Sequence, residues 1–110
     1  MTSLDESSFA RLADDTLAGL AERIEDILSS CADVDLQEGI LTIDLDEGGR
    51  YVINKHVPNR QIWLSSPFSG ASHFNYDPQQ GWVGARGGET LHTLLEQEIA
   101  KLAGVPVSLQ

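Results

Sequence analysis

The two ends of this chain carry apolar residues at helical spacing, and nearly everything between them alternates with a period of two. Phe9, Leu12, Ala13, Leu17, Leu20, Ile24, Ile27 and Leu28 recur every three or four residues. That spacing predicts a helix over residues 4–29 with one apolar stripe, and Ser3 with Glu6 has the form of a capping box at its start. Leu91, Leu94, Leu95, Ile99 and Leu102 make a similar stripe in a second helix, which runs from Thr90 to a stop at Gly104 with Pro106 beyond. A helix with one stripe, or a strand with one apolar side, needs cover on that side only. Both helices must then lie on the same face of one antiparallel sheet, with the other face wet. The expected fold is α+β, a two-layer sandwich with a sheet of about five to six strands. At 110 residues the chain has room for one core, so residues 1–110 are read as a single domain.

The strands follow from alternation. Val34 and Leu36 alternate with Asp33, Asp35 and Gln37, and Glu38 and Gly39 turn the chain. Leu41, Ile43 and Leu45 then alternate with Thr42, Asp44 and Asp46, and Glu47, Gly48 and Gly49 turn it again. Tyr51, Val52 and Ile53 form one β-branched and aromatic run and Ile62, Trp63 and Leu64 another, with Pro58 and Asn59 between them, the pattern of a hairpin. If Ile53, Ile62 and Leu64 face the core, Trp63 lies on the outer side with Asn54 and Gln61. Residues 72–76 and then Trp82 and Val83 complete the sheet, with Trp82 read as core. The tail after Gly104 has apolar Val105, Val107 and Leu109, suited to the groove between the two helices.

The charge is divided unevenly. Of 17 acidic and 7 basic residues, residues 1–47 hold 13 carboxylates and two arginines, while residues 48–110 hold four carboxylates and five basic groups. Asp14, Asp15, Glu22, Glu25 and Asp26 fall on the arc opposite the apolar stripe of the first helix. Asp33 and Asp35 follow after a short connection, so helix and strand edge together form an acidic ridge. Such a field repels nucleic acid and anionic membranes, and attracts cations or a basic protein surface. Hard, oxygen-preferring cations suit an all-carboxylate ridge, and carboxylates alone do not select among iron, manganese, calcium and magnesium.

Other classes have little support. Cys31 is the one cysteine, so no intramolecular disulfide and no Cys-x-x-Cys metal site can form; this and the acidic N-terminus, with neither a signal nor a transit pattern, lead us to expect a cytoplasmic protein. No run is long enough for a membrane span. His56, His73 and His92 have no metal-ligand spacing and read as ordinary surface histidines. No nucleophile motif or phosphate loop occurs, and the paired Gly87 and Gly88 before a helix are a weak anion signal. Nothing in the residues themselves indicates an enzyme.

Taken together, GILTIDL (39–45), YVINK (51–55), PNRQIWLSSP (58–67), SG (69–70), GWV (81–83) and GGETLHTLLEQ (87–97) resemble the frataxin family, including its bacterial CyaY-type members. The resemblance extends over nearly the whole chain and implies the same two-layer fold. It also implies weak iron binding, ferrous or ferric, at Asp14, Asp15, Glu22, Glu25, Asp26, Asp33 and Asp35, with Asp44 and Asp46 as secondary positions. Iron–sulfur cluster assembly is the implied role, with a cysteine desulfurase and its scaffold protein as partners. Asn54, Gln61 and Trp63 would make the contact, supported by Lys55 and Ser65. The alternatives are an iron-independent acidic adaptor of the desulfurase, or iron storage and ferroxidation by oligomers of a chain otherwise expected to be monomeric. His73 departs from the family pattern, in which an arginine is common nearby.

Overall fold

The computed structural model describes residues 5–109. Ser3, half of the expected capping box, lies outside them. The described cap is Asp5, whose carboxylate accepts the Ser8 N–H at 2.7 Å. An anion at the positive end of a helix is favourable, and that bond holds the Asp5 carboxyl below its ordinary value. Helix α1 (Glu6–Leu28) leads into six strands: β1 (Ala32–Gln37), β2 (Ile40–Leu45), β3 (Arg50–His56), β4 (Gln61–Ser66), β5 (Gly70–Asp77) and β6 (Gly81–Gly84). Helix α2 (Leu91–Ala103) closes the fold. It is capped by Thr90 and ends at Gly104, whose φ of 75° is the left-handed stop that glycine adopts without strain.

The strands pair in sequence order, β1 to β6, each antiparallel to the next. Glu38 and Gly39 both take positive φ (51° and 78°), the two-residue turn whose twist suits a hairpin. The register sets Leu41 opposite Ile53 and Ile53 opposite Leu64, so the aliphatic positions form one layer. Leu41, Ile43, Tyr51, Ile53, Ile62, Leu64, Phe74 and Trp82 are all buried on that side. The helices cover it with Phe9, Ala13, Leu17, Leu20, Ile24 and Leu28 from α1 and Leu91, Leu95 and Ile99 from α2. The two-layer sandwich is as expected, with six strands.

Helix α1 packs chiefly on β1, with further contacts to β3 and β2, and its N-terminal part also reaches β6. There Phe9 meets Trp82 edge-on at 6.0 Å, and the Trp82 indole N–H donates to Thr16 Oγ1 at 2.9 Å. Trp82 is thus a core residue with its one polar atom satisfied. The tail lies between the helices. Leu109 is buried in the core, its N–H donates to Glu96 of α2, and Arg23 of α1 donates to the Ser108 carbonyl.

Helix α2 is fixed by a polar junction at its sheet side. Glu98 Oε1 accepts from Tyr51 Oη and from Ser66 Oγ, both at 2.7 Å. Ser66 Oγ in turn accepts the Phe68 and Ser69 N–H groups at 3.0 and 3.1 Å, which shapes the turn after β4. Burial, then the Glu98 hydrogen bond and charge, push the Tyr51 phenol well above its ordinary range.

Two predictions follow from these contacts. Leu109→Ala should cost about 2–4 kcal/mol, the range for emptying a buried leucine site, read as a lower denaturant midpoint. Tyr51 supplies a pH test. A phenol raised on folding stabilises fully below the unfolded value of about 10 and loses that stabilisation as pH climbs toward the folded value. The stability of Tyr51→Phe should therefore fall less steeply than that of the parent chain above that pH, in paired urea titrations. Identical slopes would remove Tyr51 as the source.

Candidate functional site

The candidate residues divide between two surfaces, and the parity of the strands decides which side of the sheet each occupies. In β1, Asp33 and Asp35 alternate with Val34, which packs against the core, so both carboxylates face away from the helices. The register sets Asp33 directly opposite Asp44, and Asp44 opposite Arg50. Two like charges face to face on a sheet repel. Arg50 offsets this by bonding Asp44 at 2.6 Å, an exposed pair worth little in itself. Asp46 is not part of the strand, as its alternation with Asp44 had suggested. Strand β2 ends at Leu45, and the Asp46 N–H donates to the Cys31 carbonyl across the connection between α1 and β1.

Asp14, Asp15, Glu22, Glu25 and Asp26 are all exposed along α1. Helix α1 packs on β1, the edge strand, so its exposed carboxylates and the outward aspartates of β1 lie on neighbouring elements. Among the described residues, no three His, Cys, Asp or Glu side chains converge on a point suited to a metal ion. Asp14 is also engaged by a cation, Lys55 Nζ at 2.9 Å. Lys55, grouped with the docking positions in the sequence, has the parity of Ile53 and points to the helix side, where it neutralises part of the ridge.

The outer sheet face gathers the rest. Trp63 lies opposite Asn54 on one side and His73 on the other, and Ser65 follows on the same face opposite Val52. The indole N–H donates to Gln61 Oε1 at 2.8 Å, and the Gln61 amide donates to Asn75 at 3.1 Å. Asn54 gives its amide to the Lys55 carbonyl. Polar side chains thus tie down the edge of an aromatic that no helix covers.

What the sequence did not show is the company Trp63 keeps. His56 stacks on one face of the indole with centroids 3.6 Å apart and planes 8° apart, and His73 on the other at 4.2 Å and 9°. Neither is an isolated surface histidine. His56 shares a face with Asn54 by parity, but only the pairing register of three strands brings both imidazoles onto one ring. His92 sits apart on α2, where burial lowers its affinity for a proton and Glu96 partly opposes this. Beside His73, a cavity of about 310 Å³ is lined by Ser72, Arg86, Gly87 and Glu89. Its wall at Gly84 needs glycine, because a Cβ there would stand 2.3 Å from the Gly87 carbonyl oxygen.

Because Trp63 is held by two stacked rings and one hydrogen bond on a solvated face, Trp63→Ala should cost about 1–3 kcal/mol. Trp82→Ala should cost more, about 3–5 kcal/mol. Thermal unfolding of the two variants checks the order, and a Trp63 loss equal to that of Trp82 would make Trp63 a core residue.

The architecture and the sequence have clear relatives. A solved structure of frataxin from Psychromonas ingrahamii superposes with a TM-score of 0.82 at 26% identity, over 97% of this chain and 99% of that one. Trimeric frataxin from Saccharomyces cerevisiae, solved in a ferrous complex, gives 0.76 at 35% identity over 94% and 90% of the two chains. The mitochondrial frataxin of Arabidopsis thaliana is 42% identical over 111 residues, which is 96% of this chain; the chain spans 59% of that relative's length. The frataxin-like domain family matches residues 2–105, nearly the whole length, and on that match together with the shared fold, the chain belongs to the frataxin family.

Proposed function

We propose that this protein handles iron as cargo for iron–sulfur cluster assembly, holding it weakly along the acidic margin and meeting its partners through that margin and the Trp63 face. Frataxins as a family are linked to iron and to iron–sulfur cluster assembly. The observation that carries the reading is the set of exposed carboxylates on α1 and β1, with Asp44 of β2 beside them, relieved at the side chains of Asp14 and Asp44 by Lys55 and Arg50. Oxygen donors without histidine or thiolate suit a hard cation with water completing its shell. A set of separate carboxylates favours several weak, exchangeable ions over one caged ion. The S. cerevisiae relative, solved as a trimer in a ferrous complex, agrees with iron as the cargo.

On the outer face, a tryptophan framed by Asn54, Gln61 and Ser65 has the composition of an interface anchor with a polar surround. The proposed partner is a cysteine desulfurase with its scaffold protein, in the cytoplasm of a bacterial cell. A basic patch on that partner would meet the acidic margin. A second reading, an iron-independent adaptor, is favoured by the dispersal of the carboxylates and by the partial neutralisation of Asp14 and Asp44.

Ferrous titration followed by amide NMR tests the ridge. Broadening should begin at Asp14, Asp15, Glu22, Glu25, Asp26, Asp33 and Asp35 and spare the Trp63 face. Replacing any one carboxylate by its amide should weaken binding about fivefold or less, because a unit charge at 4 Å in water is worth about 1 kcal/mol. Even broadening over the chain would rule the ridge out. Desulfurase rates with and without iron separate the two readings, since an effect that ignores iron belongs to the adaptor.

A further inference from the structure

Trp63 is covered on both faces, and the two covers differ. His73 is exposed, whereas His56 is half-buried and its Nδ1 is enclosed with no hydrogen-bond partner. In the neutral imidazole, the proton can sit on Nε2, which leaves Nδ1 as an unpaired acceptor. A second proton must go on Nδ1, where it creates a buried, charged N–H with nothing to receive it. That unpaired N–H opposes the attraction of a cation to the face of an indole, and a swing out to water relieves it. A charged His73 on the opposite face would add a second cation to the same ring, and the two would repel.

The surroundings do not rescue the buried proton. Opposite His56 on β4 stands Gln61, whose Oε1 already receives the Trp63 indole N–H and whose amide is given to Asn75 of β5. In the turn between β3 and β4, Arg60 is cationic and bonds the Val57 carbonyl at 2.6 Å. Arg86 and Glu89 lie with His73 around the cavity at the far side of the column. Glu38, in the turn between β1 and β2, borders Lys55 and Asp14 on the helix side. Among the described residues, neither His56 nor His73 forms an ion pair.

We propose that His56 is a proton-operated cover for one face of Trp63, closed while its imidazole is neutral and swung out to water when it is protonated. Histidine is the side chain that ordinarily changes charge between pH 5 and 8, so the cover is tested over that range. Opening bares one face of the indole on the sheet side without helices, and so sets how much aromatic surface a partner can stack on. The role in docking rests on the reading of Trp63 as a contact residue. The cover itself does not.

NMR of the free protein from pH 8 to 5 tests the cover without any partner. The two indole N–H signals report separately, and Trp82, bonded to Thr16, is the internal control. The ring protons of His56, shifted upfield by the stacked indole at pH 8, should move to ordinary positions as His56 titrates. The Trp63 indole N–H should follow the same curve and the Trp82 signal should stay put. In His56→Gln the Trp63 transition should vanish, and in His73→Gln it should remain. Three results would overturn the proposal: His56 ring protons that stay upfield when charged, a Trp63 transition that survives His56→Gln, or one lost only in His73→Gln. Partner binding by Trp63→Ala is a separate measurement. If it is unchanged, the docking reading fails while the NMR result on the cover stands.

Discussion

The alternation of side chains across β3 and β4 is the constraint on which the rest depends. It sends Tyr51, Ile53, Ile62 and Leu64 into the core and Asn54, Trp63 and Ser65 out, within two strands that contact each other directly. A slip of one residue would exchange the two sets and bury amides while exposing the aliphatic layer. Both helices cover one face, so the other is free to carry recognition chemistry without weakening the core. The Glu98 junction serves the same division: it ties α2 to Tyr51 and Ser66, and so fixes the helix to the inner side of the same hairpin.

The acidic residues meet that hairpin through two cations of β3. Their carboxylates come from α1, β1 and β2, and among the described residues Lys55 and Arg50 link the two regions by reaching from β3 to Asp14 and Asp44. Lys55 is therefore better placed to set the charge of the margin than to take part on the outer face. The margin has many charges and few internal partners, which suits weak and exchangeable binding. The outer face has few charges and a well-tied aromatic, which suits shape-specific contact.

Much of this was legible in the sequence, and the parts that were not share a cause. Helix stripes, strand parity and the inward Trp82 all follow from local periodicity, and the outward Trp63 needs only one further assumption, that aliphatic residues face the core. The His56–Trp63–His73 column does not follow, because it depends on the register of three strands and on side chains 17 residues apart. The Lys55–Asp14 pair depends on how α1 packs over the sheet, which no local pattern sets. Glu98 had a signal that went unread: it stands at helical spacing from Leu91, Leu95 and Leu102, a carboxylate beside an apolar stripe. A charge in that position needs a partner inside, and Tyr51 and Ser66 supply it.

The central claim is that iron handling and partner recognition occupy neighbouring but separable surfaces. Calorimetric titration of ferrous iron into the Trp63→Ala chain, under exclusion of oxygen, tests it most directly. An iron affinity and stoichiometry equal to those of the parent chain are the predicted result. A clear loss of iron binding on removal of that one outward indole would contradict the separation.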